Sequence, residues 1–325
     1  MKRQTIAATL LLHGLLQAGL ALAQAPAYPS KTVRLVLGYA PGGTTDVLAR
    51  LLAARLSPAW GQSVVVDNRA GGGGIIGADL VAKAEPDGYT ILVCTPAQTT
   101  VNPHLLKSMP YDPLKDFAPV TLIATSPSVL LTHPALRART LPELARSAKA
   151  GKGGFNFAST GIGSPSHLQG LVLAKESGIP MQHIAYKGTG PAITDLLAGH
   201  VELMFNTVQV ALPLIKAGRL NALAVTGTTR FDGLPDVPTM KEFGTPEVES
   251  GVWYGMLLPA RTQDAVVRTL HAAVVAILRS PDVVESLKRD GANVVAGSPA
   301  QFGQFMAADS ARWKAVIQRE KIRPE

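Results

Sequence analysis

Cysteine is almost missing from this chain. Cys94 is the single one among 325 residues, and it sits inside an apolar run. A lone thiol forms no internal disulfide and no cysteine-rich zinc site, which excludes small disulfide-stapled scaffolds. Aromatic residues are scarce, at 5%. Lysine and arginine form no run interleaved with aromatics, so neither a basic stripe nor a base-stacking platform for nucleic acid is present. The P-loop pattern is missing, since Gly151-Lys152 is followed by glycine. Also missing are HExxH, any tight histidine cluster, GxSxG around Ser164, and a serine three residues before a lysine. These absences argue against a P-loop hydrolase, a zinc hydrolase and a serine acyl-transfer enzyme.

Apolar residues are plentiful instead: 46% hydrophobic against 17% charged, enough to bury a large core. At roughly 150 residues per domain, the length suggests two domains. Net charge is +8, which suits an anionic partner surface or an anionic ligand. Lys2 and Arg3 precede an apolar stretch from Ile6 to about Leu20, and Ala21-Leu22-Ala23 follows the small-x-small cleavage rule. Residues 1–23 are therefore expected to be a secretory signal; a membrane anchor is the alternative. Without Lys2 and Arg3, 29 basic residues face 23 acidic ones, near +6. No later stretch has 18 continuous apolar residues, so no further span is expected.

Short apolar runs alternate with helical patterns. Strands are expected at Val33–Tyr39, Val64–Val66 and Thr90–Cys94, with helices from Thr44 and Ile75 between them. Such a β-α-β-α-β order suits a parallel sheet covered on both faces. A second α/β set runs from Ser128 to Val225, with helices expected from Ser166, Pro191 and Pro213. Residues 227–250 read as a long loop, and amphipathic helices follow Trp253–Leu258. The fold class expected is α/β with two lobes and a cleft between them. Lobe one is 24–124 plus 227–325, lobe two is 125–226, and the hinge passes near Ala124 and Thr226.

Ligands in open α/β sheets bind outside the carboxyl ends of strands. The loops there lack one familiar signature. Gly72-x-Gly74-x-x-Gly77 matches a dinucleotide fingerprint, but no acid ends the next strand, so close helix-on-sheet packing is the better reading. What remains are anion-ready loops. Pro41-Gly42-Gly43-Thr44-Thr45-Asp46 opens a helix, so free N–H groups and the positive end of the dipole would face the cleft. The bland reading is an ordinary capped helix start. Ser159-Thr160-Gly161-Ile162-Gly163-Ser164-Pro165-Ser166-His167 repeats the design in the second set. There His167 either organises the loop or donates to a ligand, the former being preferred. Tyr186-Lys187-Gly188 begins a third such loop, where Lys187 is either an anion lure or a solvated surface lysine. Several neutral donors can capture a carboxylate without a charged partner.

Ordered segments along the whole chain now carry a resemblance. They include PGGTTDVLAR (41–50), GQSVVVDNRAGGGGIIGA (61–78), PDGYTIL (86–92), YDPLKDFAPVTLIA (111–124), GSPSHL (163–168), YKGTGPAITDLLAGHVELMF (186–205), LPDVPTMKEFG (234–244) and WYGMLLPA (253–260). The protein resembles the Bug family of periplasmic solute-binding proteins, which serve tripartite tricarboxylate transporters. The resemblance implies a type II periplasmic-binding fold holding a small carboxylate between lobes. Its pincers would be Tyr39, Pro41, Gly43, Thr44, Thr45 and Asp46 facing Ser159, Thr160, Gly163, Ser164, Ser166 and His167. Tyr186, Lys187, Gly188 and Asn206 would add contacts, and Ala97 lies where relatives vary. Asn206 stands where many relatives have aspartate, which would favour an anion and lose an ammonium partner. The partner implied is a membrane permease, with a monomeric receptor and no metal or cofactor. A sensor partner, or an exported hydrolase using Ser164, Ser166 or His167, are the alternatives.

Overall fold

β1 (Val33–Leu37) is buried at every position but Arg34, because neighbours cover both its faces. In a computed structural model, residues 28–150, 153–246, 248 and 251–323 are described, so the expected leader lies outside them. β1 runs parallel between β2 (Val64–Asn68) and β3 (Thr90–Cys94), with Val33 opposite Val64 and Arg34 opposite Thr90. The connecting helices are α1 (Thr44–Trp60) and α2 (Ile75–Ala82). A π-helical turn, Ala97–Val101, then leads into the short α3 (Asn102–Leu105). β4 (Phe117–Ser126), β10 (Val252–Pro259) and β11 (Asn293–Val294) complete a six-stranded sheet of order β11-β4-β10-β3-β1-β2.

The second sheet has five strands in the order β7-β6-β8-β5-β9. They are β5 (Ser128–Thr132), β6 (Phe155–Ser159), β7 (Met181–Ala185), β8 (Leu203–Thr207) and β9 (Asn221–Val225). Its helices are α4 (Leu141–Ala150), α5 (Pro165–Ser177), α6 (Thr189–Ala198), α7 (Val208–Lys216) and α8 (Met240–Phe243). Both sheets are mixed, not wholly parallel. β10 is antiparallel to β3 and β4, and β5 is antiparallel to β8 and β9. Those two strands enter each sheet from the other lobe and run against their neighbours.

Local chemistry accounts for the differences from expectation. α6 starts two residues before Pro191, which sits in its first turn, where no N–H is required. α7 starts at Val208 and carries Pro213 inside it. The expected loop contains α8, opened by a capping box between Thr239 and Glu242.

Packing divides the chain. In β8, Leu203 and Phe205 join Phe157 and Leu173 on one face, while Met204 joins Leu196 and Val225 on the other. This is the two-residue period of a strand covered on both sides. In the first sheet, Val36, Leu92, Leu122 and Trp253 pack with Phe302 and Met306 of α11 (Pro299–Glu320). The chain leaves the first sheet at Pro127, between β4 and β5. Beyond Thr226, Met240, Phe243 and Val248 pack in the second sheet's core. α9 (Asp264–Leu278) and α10 (Pro281–Arg289) close the first lobe with α11. Among the described residues, no helix is long and apolar enough to cross a membrane.

Candidate functional site

The carboxyl ends of β1 and β8 face one another across a cavity of about 550 Å3, counting the part open to solvent. Gly43, Thr44, Thr45 and Asp46 bring the start of α1 to it from the first lobe. Thr189 and Thr207 bring the starts of α6 and α7 from the second. No side-chain hydrogen bond caps any of these three helices. Their positive dipole ends therefore converge on the cavity from both lobes with the N–H groups of their first turns, of which Val208 N in α7 already donates to Pro127 O at 3.0 Å. A fourth helix, α5, contributes Pro165 and Ser166, but Ser164 caps it by accepting from His167 N at 3.3 Å.

Side chains add neutral donors. Thr44 Oγ1 and Thr207 Oγ1 are 2.7 Å apart across the lobes, and the Tyr254 hydroxyl of β10 lies near both. Burial pushes the Tyr254 phenol up, beyond any physiological titration. Thr207 N donates to Asn206 Oδ1 at 2.8 Å. That fixes the amide, and the buried Asn206 Nδ2 has no partner among the described residues. Thr160, Thr95, Ser128 and Gln169 add to the polar lining, and Leu37, Phe205 and Val252 supply apolar wall.

The cavity has almost no charge of its own. Among the described residues lining it there is no lysine, arginine or histidine, and Asp46 is the sole carboxylate. Asp46 is already engaged: Arg50 Nε donates to it at 2.9 Å, Asn68 Nδ2 at 3.2 Å and Gly42 N at 3.3 Å. Burial pushes its carboxyl up, but these donors outweigh that and hold it below the ordinary range. Tyr39 lines the cavity with its ring while its hydroxyl contacts Thr95 Oγ1 at 2.9 Å and donates to Gly73 O at 3.2 Å.

Other expected contacts fall behind the wall or on the seam. Pro41 and Gly188 belong to loops that meet edge to edge, where Ala40 N donates to Lys187 O at 2.9 Å. Lys187 itself is exposed. Tyr186 turns away and donates to Asp195 Oδ2 at 2.6 Å. Ala97 is buried within the π-helical turn. Ser159 faces His183, Oγ to Nε2 2.6 Å. Gly163 (φ +73°) packs on Asn102, whose Oδ1 would lie 1.7 Å from any Cβ placed there. His167 organises the loop from behind, accepting from Gly163 N through Nδ1 at 3.1 Å and stacking on His183 at 4.0 Å between centroids. Burial, with His183 beside it, brings its imidazole down to about 3. It makes no bond to Ser164 or Ser166 through its ring, so these residues form no serine–imidazole pair.

Several residues that line the cavity were not among those expected from the sequence. Thr95, Thr189 and Thr207 sit one or two positions from Ala97, Gly188 and Asn206. Their signal was a hydroxyl beside a strand end or helix start. Tyr254 and Ser128 come from strands that change lobes and carried no loop signature. Among the described residues, no group of three potential metal ligands occurs.

The model of the tripartite tricarboxylate transporter family receptor matches residues 48–322. Protein BugT of Bordetella pertussis is 38% identical over 294 residues, covering 90% of each chain. R. palustris Rpa4515, solved with adipate, is 36% identical with a TM-score of 0.87, covering 92% of this chain and all of that one. The periplasmic binding protein BugD is 35% identical with a TM-score of 0.87, at 92% and 100% coverage.

Proposed function

Because the chain belongs to the tripartite tricarboxylate transporter receptor family, we propose that it is an exported binding protein that captures a small carboxylate between its lobes and hands it to a membrane permease. The observation that carries this reading is the convergence of three uncapped helix starts on a cavity without cationic side chains. An anion there would be held by backbone N–H groups, by the Thr44, Thr207 and Tyr254 hydroxyls, and by the Asn206 amide. The lobes are taken as residues 31–126 with 251–323, and 127–248. Among the residues expected from the sequence, Tyr39, Gly43, Thr44, Thr45, Asp46, Thr160, Ser166 and Asn206 would face the ligand. The others would shape the loops or the seam. Adipate in the R. palustris relative supports the carboxylate class.

Ligand-free protein, prepared by unfolding and refolding, would be screened by thermal shift against carboxylates and their neutral amides. Ligand at 100 times its dissociation constant adds about 2.7 kcal/mol, a shift of several degrees for a chain this size. A shift with an acid but not its amide, with no ligand consumed, is the expected result. Shifts with amides alone would overturn the reading, and so would turnover of the ligand.

A further inference from the structure

We infer that the cargo carries no ammonium group, and that its second polar end is a hydrogen-bond acceptor met by the Asn206 amide. This rests on the carboxylate-binding reading above and narrows it to one class of acid.

An ammonium group buried in a cleft needs acceptors, and a counter-charge to offset its desolvation. The cavity's one carboxylate is already paired with Arg50. Asp46 Oδ1 accepts from Asn68, and Oδ2 accepts from both Arg50 and Gly42. No hydroxyl of the lining supplies a counter-charge, and several already bond within the wall: Thr44 to Thr207, Tyr39 to Thr95 and Gly73, and Ser128 Oγ, which accepts from Gln169 Nε2 at 2.9 Å. Three positive helix ends face the same space, so a cation would be repelled as well as desolvated.

The Asn206 amide is oriented for the opposite task. Its oxygen is held by the Thr207 N–H at 2.8 Å. Turning the amide over would set its NH2 against that N–H. Asn206 lines the cavity, and its Nδ2 is a buried donor without a partner among the described residues. A carboxylate, carbonyl or hydroxyl oxygen satisfies it; an ammonium group does not. Substitution by aspartate keeps an oxygen for Thr207 N–H and adds the counter-charge the cavity lacks.

Calorimetric titration of the full-length wild-type protein with three matched pairs tests this: succinate and aspartate, glutarate and glutamate, adipate and 2-aminoadipate. In every pair that binds, the unaminated acid is expected to bind at least tenfold tighter. Asn206→Asp, shown folded by its melting temperature, should narrow that ratio at least tenfold. Asn206→Ala should weaken the unaminated acid without improving its aminated partner. Equal or tighter binding of the aminated member to the wild type overturns the inference and leaves the carboxylate reading standing. An unchanged ratio in Asn206→Asp overturns the role given to that amide. Binding by none of the six acids overturns the inference, and the wider acid and amide panel then decides the carboxylate reading separately.

Discussion

Residue positions here separate into those that touch the cavity and those that hold its wall, and two substitutions tell them apart. Thr44 and Thr207 meet across the lobes at 2.7 Å. Thr44→Val removes one hydrogen bond that exists only when the lobes are together. Its net worth is about 1 kcal/mol, so affinity should fall roughly fivefold while the melting temperature of the empty protein barely moves. Paired titration and thermal denaturation check both halves. His167 is the contrasting case. It is fully buried and titrates near 3, against about 6.5 when unfolded. Between those values the unfolded chain binds a proton that the folded chain refuses. Stability from this group is complete above pH 6.5 and declines as pH falls toward 3, by up to about 1.4 kcal/mol per unit. Denaturant melts of wild type and His167→Gln between pH 7 and 5 should show the shallower slope in the variant. The sequence showed the glycine-and-hydroxyl loops because their composition is unusual. It did not show that Ser159 and His167 turn inward to His183. That choice depends on a histidine brought by β7, some sixteen residues beyond His167 in the chain.

At the scale of elements, strands and helix starts were legible wherever a period or a cap was strong. β3 has the bounds expected, while β1 ends at Leu37, two residues short of the expected Tyr39. Prolines misled, since Pro191 and Pro213 read as starts but lie within helices that begin earlier. Pairing direction was not legible, because a buried strand looks alike in parallel and antiparallel company. The long α11 shows what composition cannot: a single carboxylate ties it down. Asp309 accepts from Thr100 Oγ1 at 2.7 Å, Trp253 Nε1 at 2.9 Å and Arg312 at 2.7 Å. Asp309→Ala would orphan the buried Trp253 Nε1, leave Thr100 Oγ1 only Pro96 O at 3.3 Å and remove the carboxylate that Arg312 pairs with, at about 3 kcal/mol. Its melting temperature should drop by at least about 6 °C. Binding, measured below that temperature, should change much less.

For the whole molecule, two lobes were readable from two α/β sets with a helical tail. The place of α8 and Val248 was hidden, because both look like loop until their partners in the second core are known. At the seam, backbone of one lobe lies close to side chains of the other. Gly43 has an ordinary extended conformation (φ −96°), yet a Cβ there would lie 2.9 Å from Thr189 Oγ1 of the other lobe. Gly43→Val should leave each lobe folded and hold them apart. Small-angle scattering should then show no compaction with ligand, and affinity should fall at least a hundredfold. The helix starts at the same seam carry a further consequence. One comes from the first lobe and two from the second, so shutting the cleft sets like partial charges against each other unless something negative lies between them. The shut shape is then a message: whatever reads the protein's outline from outside, without touching the cargo, learns whether it is loaded.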